Sequence, residues 1–356
     1  MKFLIAAGGT GGHVYPAIAV AEQLKKIHPS AEIIFVGTKK GFEATIVPQH
    51  GFALEFMEVG GIHGTTFVKK IKSILLLPGA FLAANRFLSK HKPVAVLGIG
   101  GYVSGLLLIL SAFRKIPTAI LEPNVVAGAT NKLLGKFATK IYLAFEESRK
   151  YFPAEKCVKS GNPIRENILK ISPPNFSDIQ KTIFIFGGSQ GARKINQGVM
   201  EMVRAAPNYW KNFSFIHQTG PGDTYEVQST YNSLGIQADV RKYFDEIMEA
   251  YARSHFVIAR AGSSILEVAA IGRPSILIPY PYAAGHQYYN AEILVNHGGA
   301  YLLKDADCTG QSLSDILRPA LQSETVLKNM SAAALKFRSE DAAMQIAKQF
   351  MQWSTT

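Results

Sequence analysis

One pattern occurs twice in this chain. An apolar run that ends in a glycine turn and a helix start appears as FLIAAGGTGGH at 3–13 and as IFIFGGSQGAR at 183–193, about 180 residues apart. Similar apolar runs stand at 2–7, 32–36, 94–98, 117–121, 182–186, 213–217, 255–259 and 275–279. Several are apolar at every position, as strands covered on both faces of a parallel sheet must be. Helix-length amphipathic stretches separate them. Strand–helix alternation over the whole length predicts an α/β fold of doubly wound sheets. The restart at 183 predicts two Rossmann-like domains that face a cleft.

The 356 residues suit two domains of about 150 residues each. The boundary is expected at the turn-forming cluster Gly161-Asn162-Pro163, which gives domains 1–162 and 163–339. ISPPNFSD at 171–178 reads as a linker-like loop. The tail has a helical pattern over 331–353, and its last part, about 340–356, is expected to pack back on the first domain. With 47% hydrophobic residues the chain can bury large cores, which excludes a disordered tail protein and a disulfide-stapled miniprotein. Two cysteines, Cys157 and Cys308, make no disulfide framework and point to a reducing cytosol. The apolar stretches 73–84 and 103–113 are shorter than the ~20 residues of a membrane span. The N-terminal apolar run meets glycines too early for a signal peptide.

Charge is unevenly placed. Residues 1–160 hold 20 Lys/Arg against 9 Asp/Glu, a formal +11, whereas residues 161–356 hold 18 against 17, a formal +1. A basic half beside a neutral half implies an anionic partner for the first, either nucleic acid or an anionic membrane surface. Phe67 to Lys92 (FVKKIKSILLLPGAFLAANRFLSKHK) concentrates that charge. Lys69, Lys70, Lys72, Arg86, Lys90 and Lys92 flank Leu75, Leu76, Leu77, Phe81 and Leu82. An apolar centre with basic flanks is how an interfacial segment grips an anionic bilayer. A core helix with solvated lysines fits the stretch equally well.

Three glycine loops carry the chemistry. In Gly8-Gly9-Thr10-Gly11-Gly12-His13, a glycine turn lets backbone N–H groups approach a phosphate at a helix N-terminus. As a dinucleotide fingerprint it is incomplete, because Val14 stands where a third glycine belongs. The second loop, Gly98-Ile99-Gly100-Gly101-Tyr102-Val103-Ser104-Gly105, follows a strand and is expected to bring backbone donors to the same cleft, with Gly100, Gly101, Tyr102 and Ser104 as an acceptor or diphosphate loop. The third, Gly187-Gly188-Ser189-Gln190-Gly191-Ala192-Arg193, opens the other domain. Two such loops suit a nucleotide-diphosphate-linked substrate bound between domains. Each taken alone is also consistent with a tight structural turn.

His13 stands at a helix N-terminus, which favours the neutral imidazole that a general base needs. Its plain alternative is a structural cap. Glu267, in Gly262-Ser263-Ser264-Ile265-Leu266-Glu267, can accept both hydroxyls of a ribose, or serve only as a helix-start carboxylate. His286, Gln287 and Asn290 form a polar cluster suited to sugar hydroxyls or to capping. No metal motif stands out; Asp305-Ala306-Asp307 matches a short acidic pattern that can hold a divalent cation, but it reads as a solvated turn.

Taken together, GGTGGHVYPAIAVAEQL (8–24), GIGGYVSG (98–105), EPNVVAGATNKLL (122–134), GNPIR (161–165), GGSQGAR (187–193), RAGSSILE (260–267) and HQYYNA (286–291) resemble the bacterial lipid II synthases, the MurG family of GT-B fold. The resemblance implies an inverting transfer of GlcNAc from UDP-GlcNAc to the C4 hydroxyl of MurNAc in undecaprenyl-diphospho-MurNAc-pentapeptide (lipid I), giving lipid II for peptidoglycan synthesis. It implies that Thr10, Gly11 and Gly12 contact the donor, that His13 is a candidate base, and that Asn124 contacts the donor sugar. Arg165 and Ser189 match positions near the diphosphate, Glu267 the ribose ligand, and Gln287 the reader of GlcNAc hydroxyls. Gly262, Ser263 and Ser264 belong to the donor loop, and Phe244 stands at the uracil-contacting position through its backbone. The implied partners are UDP-GlcNAc, lipid I, an anionic membrane surface and cell-wall synthesis proteins, with no nucleic acid, cofactor or metal. The implied location is peripheral, on the cytoplasmic face of the cell (inner) membrane. The chain departs from the family at Pro123, where glutamine is usual, at Gly285, where aspartate is common, and in a 262–267 loop one residue short. Two other enzymes stay open: a GT-B transferase with another lipid acceptor such as diacylglycerol, and an NADP-dependent oxidoreductase using Lys39 and Lys40.

Overall fold

A computed structural model describes residues 1–39, 41–57, 67–188, 190–282 and 285–355, except the side chains of 67–78 and of Tyr102. Among them, thirteen strands form two wholly parallel sheets. The first contains β1 (Lys2–Ala6), β2 (Glu32–Gly37), β3 (Ala53–Phe56), β4 (Ala95–Gly98), β5 (Thr118–Glu122), β6 (Lys140–Leu143) and β7 (Cys157–Lys159). The second contains β8 (Thr182–Phe186), β9 (Ser214–Gln218), β10 (Ala238–Arg241), β11 (Phe256–Ala259), β12 (Ser275–Leu277) and β13 (Ala300–Leu302). Their orders are β3-β2-β1-β4-β5-β6-β7 and β10-β9-β8-β11-β12-β13.

Both orders reverse beside the strand that carries the repeated motif. The first sheet grows outward from β1 through β2 on one side and β4 on the other; the second does so from β8 through β9 and β11. At such a reversal, the loops leaving adjacent strand ends diverge and open a crevice, which is where doubly wound sheets bind ligands. The glycine turns therefore sit at both switch points. The α/β reading and the two-sheet GT-B architecture are what the chain adopts.

Side-chain alternation on β1 explains why its sequence is apolar throughout. Phe3 and Ile5 join one buried cluster, which includes Val14, Ile18 and Phe350. Leu4 and Ala6 join another on the opposite face, with Leu88, Leu107 and Leu108. Burial on both faces removes any polar position from the strand. In the second sheet, one face of β8 packs Ile183 and Ile185 against Ile195, Val199, Leu313 and Leu317. The other face is aromatic: Phe184 and Phe186 stack at 4.9 Å, and Tyr251 meets both edge-on.

The chain divides into two units, Met1–Arg165 with Ser339–Thr356, and Glu166–Arg338. The tail pattern over 331–353 is two helices rather than one, Glu324–Leu335 and Ala342–Trp353. The break between them spans the return to the first unit. Arg338 donates to the carbonyls of Leu169 and Ala270 in the second unit. Ser339 donates to the Ser160 carbonyl in the first, at 2.6 Å. The helix Ala342–Trp353 then lies on the helix Gly11–Ile27 and buries Ile346 and Phe350.

Candidate functional site

In the N-terminal unit the first glycine loop leaves β1, and the helix Gly11–Ile27 begins at once behind Thr10. Gly9 has φ +102°, a conformation costly to any residue with a Cβ. Thr10 is extended and its side chain makes no cap hydrogen bond. Gly11 and Gly12 form the first turn, half-buried. His13 donates from Nδ1 to the Gly8 carbonyl at 3.1 Å. A carbonyl can only accept, so Nδ1 carries the proton in that bond and the neutral ring presents its lone pair at Nε2. Adjacent β4 brings the second loop alongside: a Cβ at Gly100 would stand 3.4 Å from His13 Cε1. Gly100 and Gly101 have φ +120° and +83°. Tyr102 lies in the helix Gly101–Phe113 with its side chain outside the described residues. Ser104 is buried and donates back to the Gly101 carbonyl at 3.2 Å, so its hydroxyl serves the helix start.

Two buried carboxylates brace this half, and the sequence reading passed over both. Glu43 lies beneath the first loop and accepts from the Gly9 N–H at 3.0 Å. Glu122, at the end of β5, accepts from Asn124 Nδ2 (3.1 Å), Asn131 Nδ2 (2.9 Å) and the N–H groups of Asn124 and Gly128 (each 3.0 Å). The carboxamide of Asn124 is therefore held by its anchor at the loop start. Arg165 is buried with its guanidinium 4.0 Å from the Tyr15 ring centroid, a cation–π arrangement on the helix that follows the first loop.

In the C-terminal unit, Gly187 and Gly188 follow β8, and the helix Arg193–Ala205 starts after Gly191. Ser189 lies outside the described residues. Gln218, 2% exposed at the end of β9, ties two segments together. Its Nε2 donates to the Gly188 carbonyl at 3.1 Å, and its Oε1 accepts from the Phe244 N–H at 3.0 Å. The Phe244 ring is buried against Phe184, under the Arg241 guanidinium. Its N–H is thus committed to Gln218. Below this, His217 is fully buried between Tyr231 Oη (3.3 Å) and Asn196 Oδ1 (3.1 Å), and burial pulls its pKa down to about 3. Asn196 in turn donates to the Thr219 carbonyl and to Asp223.

The loop after β11 holds Gly262, Ser263 and Ser264, all half-buried, and turns into the helix Ile265–Ala270. Glu267, 7% exposed, accepts from Tyr251 Oη at 3.2 Å. Gln287 accepts from the Tyr280 N–H at 2.9 Å through Oε1, and its Nε2 would stand 3.9 Å from a Cβ at Gly262. The structure thus brings Gly262 and Gln287 side by side, 25 positions apart in sequence. Ala306 and Asp307 are exposed, as expected of a solvated turn, and only Asp305 departs from that reading. Its carboxylate pairs with Arg260 at 2.5 Å, and Arg260 also donates to the Ile278 carbonyl. Among the described residues no group of three or more His, Cys, Asp or Glu could hold a metal ion.

Of the basic, apolar segment, Lys69, Lys70, Lys72, Leu75 and Leu76 have side chains outside the described residues, on a helix Phe67–His91. Phe81 (47%), Leu82 (54%) and Arg86 are exposed on it. No helix among the described residues is long and apolar enough to cross a membrane.

Residues 3–143 match the glycosyltransferase family 28 N-terminal domain, and residues 182–346 match the C-terminal domain of that family. A Thermodesulfovibrio yellowstonii protein named UDP-N-acetylglucosamine--N-acetylmuramyl-(pentapeptide) pyrophosphoryl-undecaprenol N-acetylglucosamine transferase is 40% identical over 354 residues, 97% of each chain. A protein of the same name from Anaeromyxobacter sp. (strain K) is 39% identical over 99% of this chain and 93% of its own. The crystal structure of Acinetobacter baumannii MurG superposes with a TM-score of 0.76 at 26% identity, covering 99% of both chains. A UDP-GlcNAc 2-epimerase from Neisseria meningitidis bound to UDP-GlcNAc shares the fold, with a TM-score of 0.69 at 14% identity over 99% of this chain and 100% of that one. With both halves of the domain pair matched in order and relatives of one name similar over nearly their whole length, this chain belongs to the MurG family of glycosyltransferase family 28.

Proposed function

We propose that this chain transfers GlcNAc from UDP-GlcNAc to the C4 hydroxyl of MurNAc in undecaprenyl-diphospho-MurNAc-pentapeptide, giving lipid II and UDP with inversion at the anomeric carbon. The enzyme is a UDP-GlcNAc-dependent N-acetylglucosaminyltransferase. The observation that carries the reading is the pre-set trio of Glu267, Gln287 and Gly262 at the second switch point. Tyr251 and the Tyr280 N–H hold the two polar side chains. A carboxylate suits a ribose diol, and a carboxamide suits sugar hydroxyls. Phe244 lines the uracil end, with Gly262, Ser263 and Ser264 along the donor.

In the reaction the acceptor oxygen attacks the anomeric carbon as the bond to the diphosphate breaks, and UDP leaves with that electron pair. Charge grows on the diphosphate. Backbone N–H groups at the glycine loops, the Ser189 hydroxyl and the Arg165 guanidinium are the donors that meet it. Thr10, Gly11 and Gly12 contribute from the first loop, with Asn124 on the donor sugar. Gly100, Gly101, Tyr102 and Ser104 form the acceptor's diphosphate loop, Ser104 by shaping the helix start. The C4 hydroxyl proton passes to His13 Nε2, the nitrogen left as acceptor when Nδ1 donates to Gly8.

The enzyme works peripherally on the cytoplasmic face of the cell membrane, where the polyprenyl acceptor is embedded, and the helix Phe67–His91 is the docking element. Exposed Phe81, Leu82 and Arg86 support this, since each basic side chain near an anionic surface is worth about 1 kcal/mol. Cell-wall synthesis proteins that consume lipid II are the expected neighbours.

The test is transfer of labelled GlcNAc from UDP-GlcNAc to a lipid I analogue, with and without EDTA, and with diacylglycerol as the competing acceptor. Labelled lipid II is the expected product, lowered about 100-fold or more by His13→Ala, the scale of general-base catalysis. Label on diacylglycerol but not on lipid I would overturn the acceptor. Near-wild-type turnover of His13→Ala would remove the base.

A further inference from the structure

Glu43 has no place in the chemistry above, yet it is 0% exposed and lies directly beneath the first glycine loop. Its Oε2 accepts from the Gly9 N–H at 3.0 Å, while Oε1 accepts from the Thr38 N–H at 2.8 Å and from the Thr38 hydroxyl at 3.0 Å. Three glycines close over this carboxylate. A Cβ at Gly8 would stand 2.9 Å from Oε1, and one at Gly37 or Gly41 would overlap the Glu43 side chain. Gly8 has an ordinary φ, so its lack of a side chain serves this close approach rather than an unusual backbone angle. The β1 and β2 loops are thus built around one buried acceptor, which is a costly arrangement unless its position matters.

What it fixes is the Gly8-Gly9 backbone. The Gly8 carbonyl accepts from His13 Nδ1 at 3.1 Å, and the face of that ring is limited by Gly100, whose Cβ would stand 3.4 Å from Cε1. Glu43 holds Gly9, Gly9 fixes the peptide that carries the Gly8 carbonyl, and that carbonyl selects which imidazole nitrogen keeps its lone pair. A carboxylate orienting a histidine through one hydrogen bond is a familiar device; here the connection runs through a peptide unit.

We infer that Glu43 is a positioning residue for His13, acting through the Gly8-Gly9 peptide. The inference rests on His13 being the base. A double-mutant cycle tests it, with His13→Ala, Glu43→Gln and the combination assayed for kcat on a lipid I analogue and for KM of UDP-GlcNAc, and with thermal melting of each. Glu43→Gln presents an amide to three donors and lets the loop shift. A displacement near 1 Å costs up to about 100-fold in rate, so kcat should fall at least about tenfold, while any rise in the UDP-GlcNAc KM reports the shift of Thr10, Gly11 and Gly12 and should be the same with and without His13. In the His13→Ala background the same change should cost nothing more, because residues acting as a unit are not additive. A residue needed only for folding would lower activity equally in both backgrounds.

If Glu43→Gln melts below the assay temperature, Thr38→Val takes its place in the cycle. It removes one donor to Oε1 and keeps the carboxylate, so a smaller loss of kcat is expected, again absent without His13. Near-wild-type kcat in a folded Glu43→Gln, or equal losses in both backgrounds, overturns the positioning role while leaving His13 as base. Near-wild-type turnover of His13→Ala overturns both readings at once.

Discussion

At the scale of single residues, this protein places buried polar groups under its glycine loops. Glu267 is the clearest case in the second unit. Its carboxylate is held by Tyr251, which is itself wedged against Phe184 and Phe186. If it binds the ribose, Glu267→Gln should raise the UDP-GlcNAc KM by roughly 10- to 100-fold, the worth of a hydrogen bond to a charged group, with little change in melting temperature. An unchanged KM would detach Glu267 from the donor. His217 makes a stability prediction instead. Its folded pKa, about 3, lies below the unfolded value near 6.5, so the fold keeps a neutral ring that the unfolded chain protonates. The stabilising contribution is complete above about pH 6.5 and is lost as pH falls toward 3, by up to about 1.4 kcal/mol per pH unit. Denaturant unfolding at pH 7 and pH 5 should therefore show a larger loss in the wild type than in His217→Gln. Equal losses would mean that this ring does not titrate with folding.

Among the elements, Gly191 in the glycine loop of the second unit lies hard against the loop after β9. Gly191 has φ +73°, and a Cβ there would overlap the Thr219 carbonyl. Gly191→Ala should cost at least about 1–2 kcal/mol from the left-handed backbone alone, and more because the loop after β9 must retreat. Both the unfolding midpoint and the UDP-GlcNAc affinity should drop. A variant that loses neither would show that the two loops are not mutually locked. The helix Phe67–His91 makes a prediction of another kind. Reversing its charge with Lys69→Glu, Lys70→Glu and Lys72→Glu should weaken cosedimentation with anionic vesicles and spare binding of UDP-GlcNAc. Undiminished vesicle binding would take the docking role away from this helix.

For the whole molecule, the tail matters beyond its position at the end of the sequence. Phe350 is fully buried, with its ring centroid 5.9 Å from that of Phe3 on β1, the strand that launches the first glycine loop. Phe350→Ala should destabilise the first unit by about 3–5 kcal/mol and lower the melting temperature. If stability were unchanged, the C-terminal helix would be dispensable to that core.

What could be read in advance follows the same physics. β1, β2, β4, β5, β8, β9, β11 and β12 were legible because their residues are mostly buried, which leaves runs such as FLIA and FVIA with no polar position. The edge strands β3 and β10 were not. ALEF and ADVR are half-exposed, and a strand with one open side has no need of a continuous apolar run. The split in the tail was equally hidden, since the anchors of Arg338 and Ser339 are carbonyls far away in sequence.

The glycine turns, the strand–helix alternation and the motifs that mark the family are local, written in consecutive residues, and the sequence by itself determined them. The partners of those turns are not local. Glu43 meets Gly9 across 34 positions, Gln218 meets Gly188 across 30, and Tyr251 meets Glu267 across 16. Only the folded chain could assign these pairings, because a buried carboxylate or carboxamide reveals its role through the donors that surround it. Those donors come from neighbouring strand ends brought together by a sheet order that no short stretch of sequence contains.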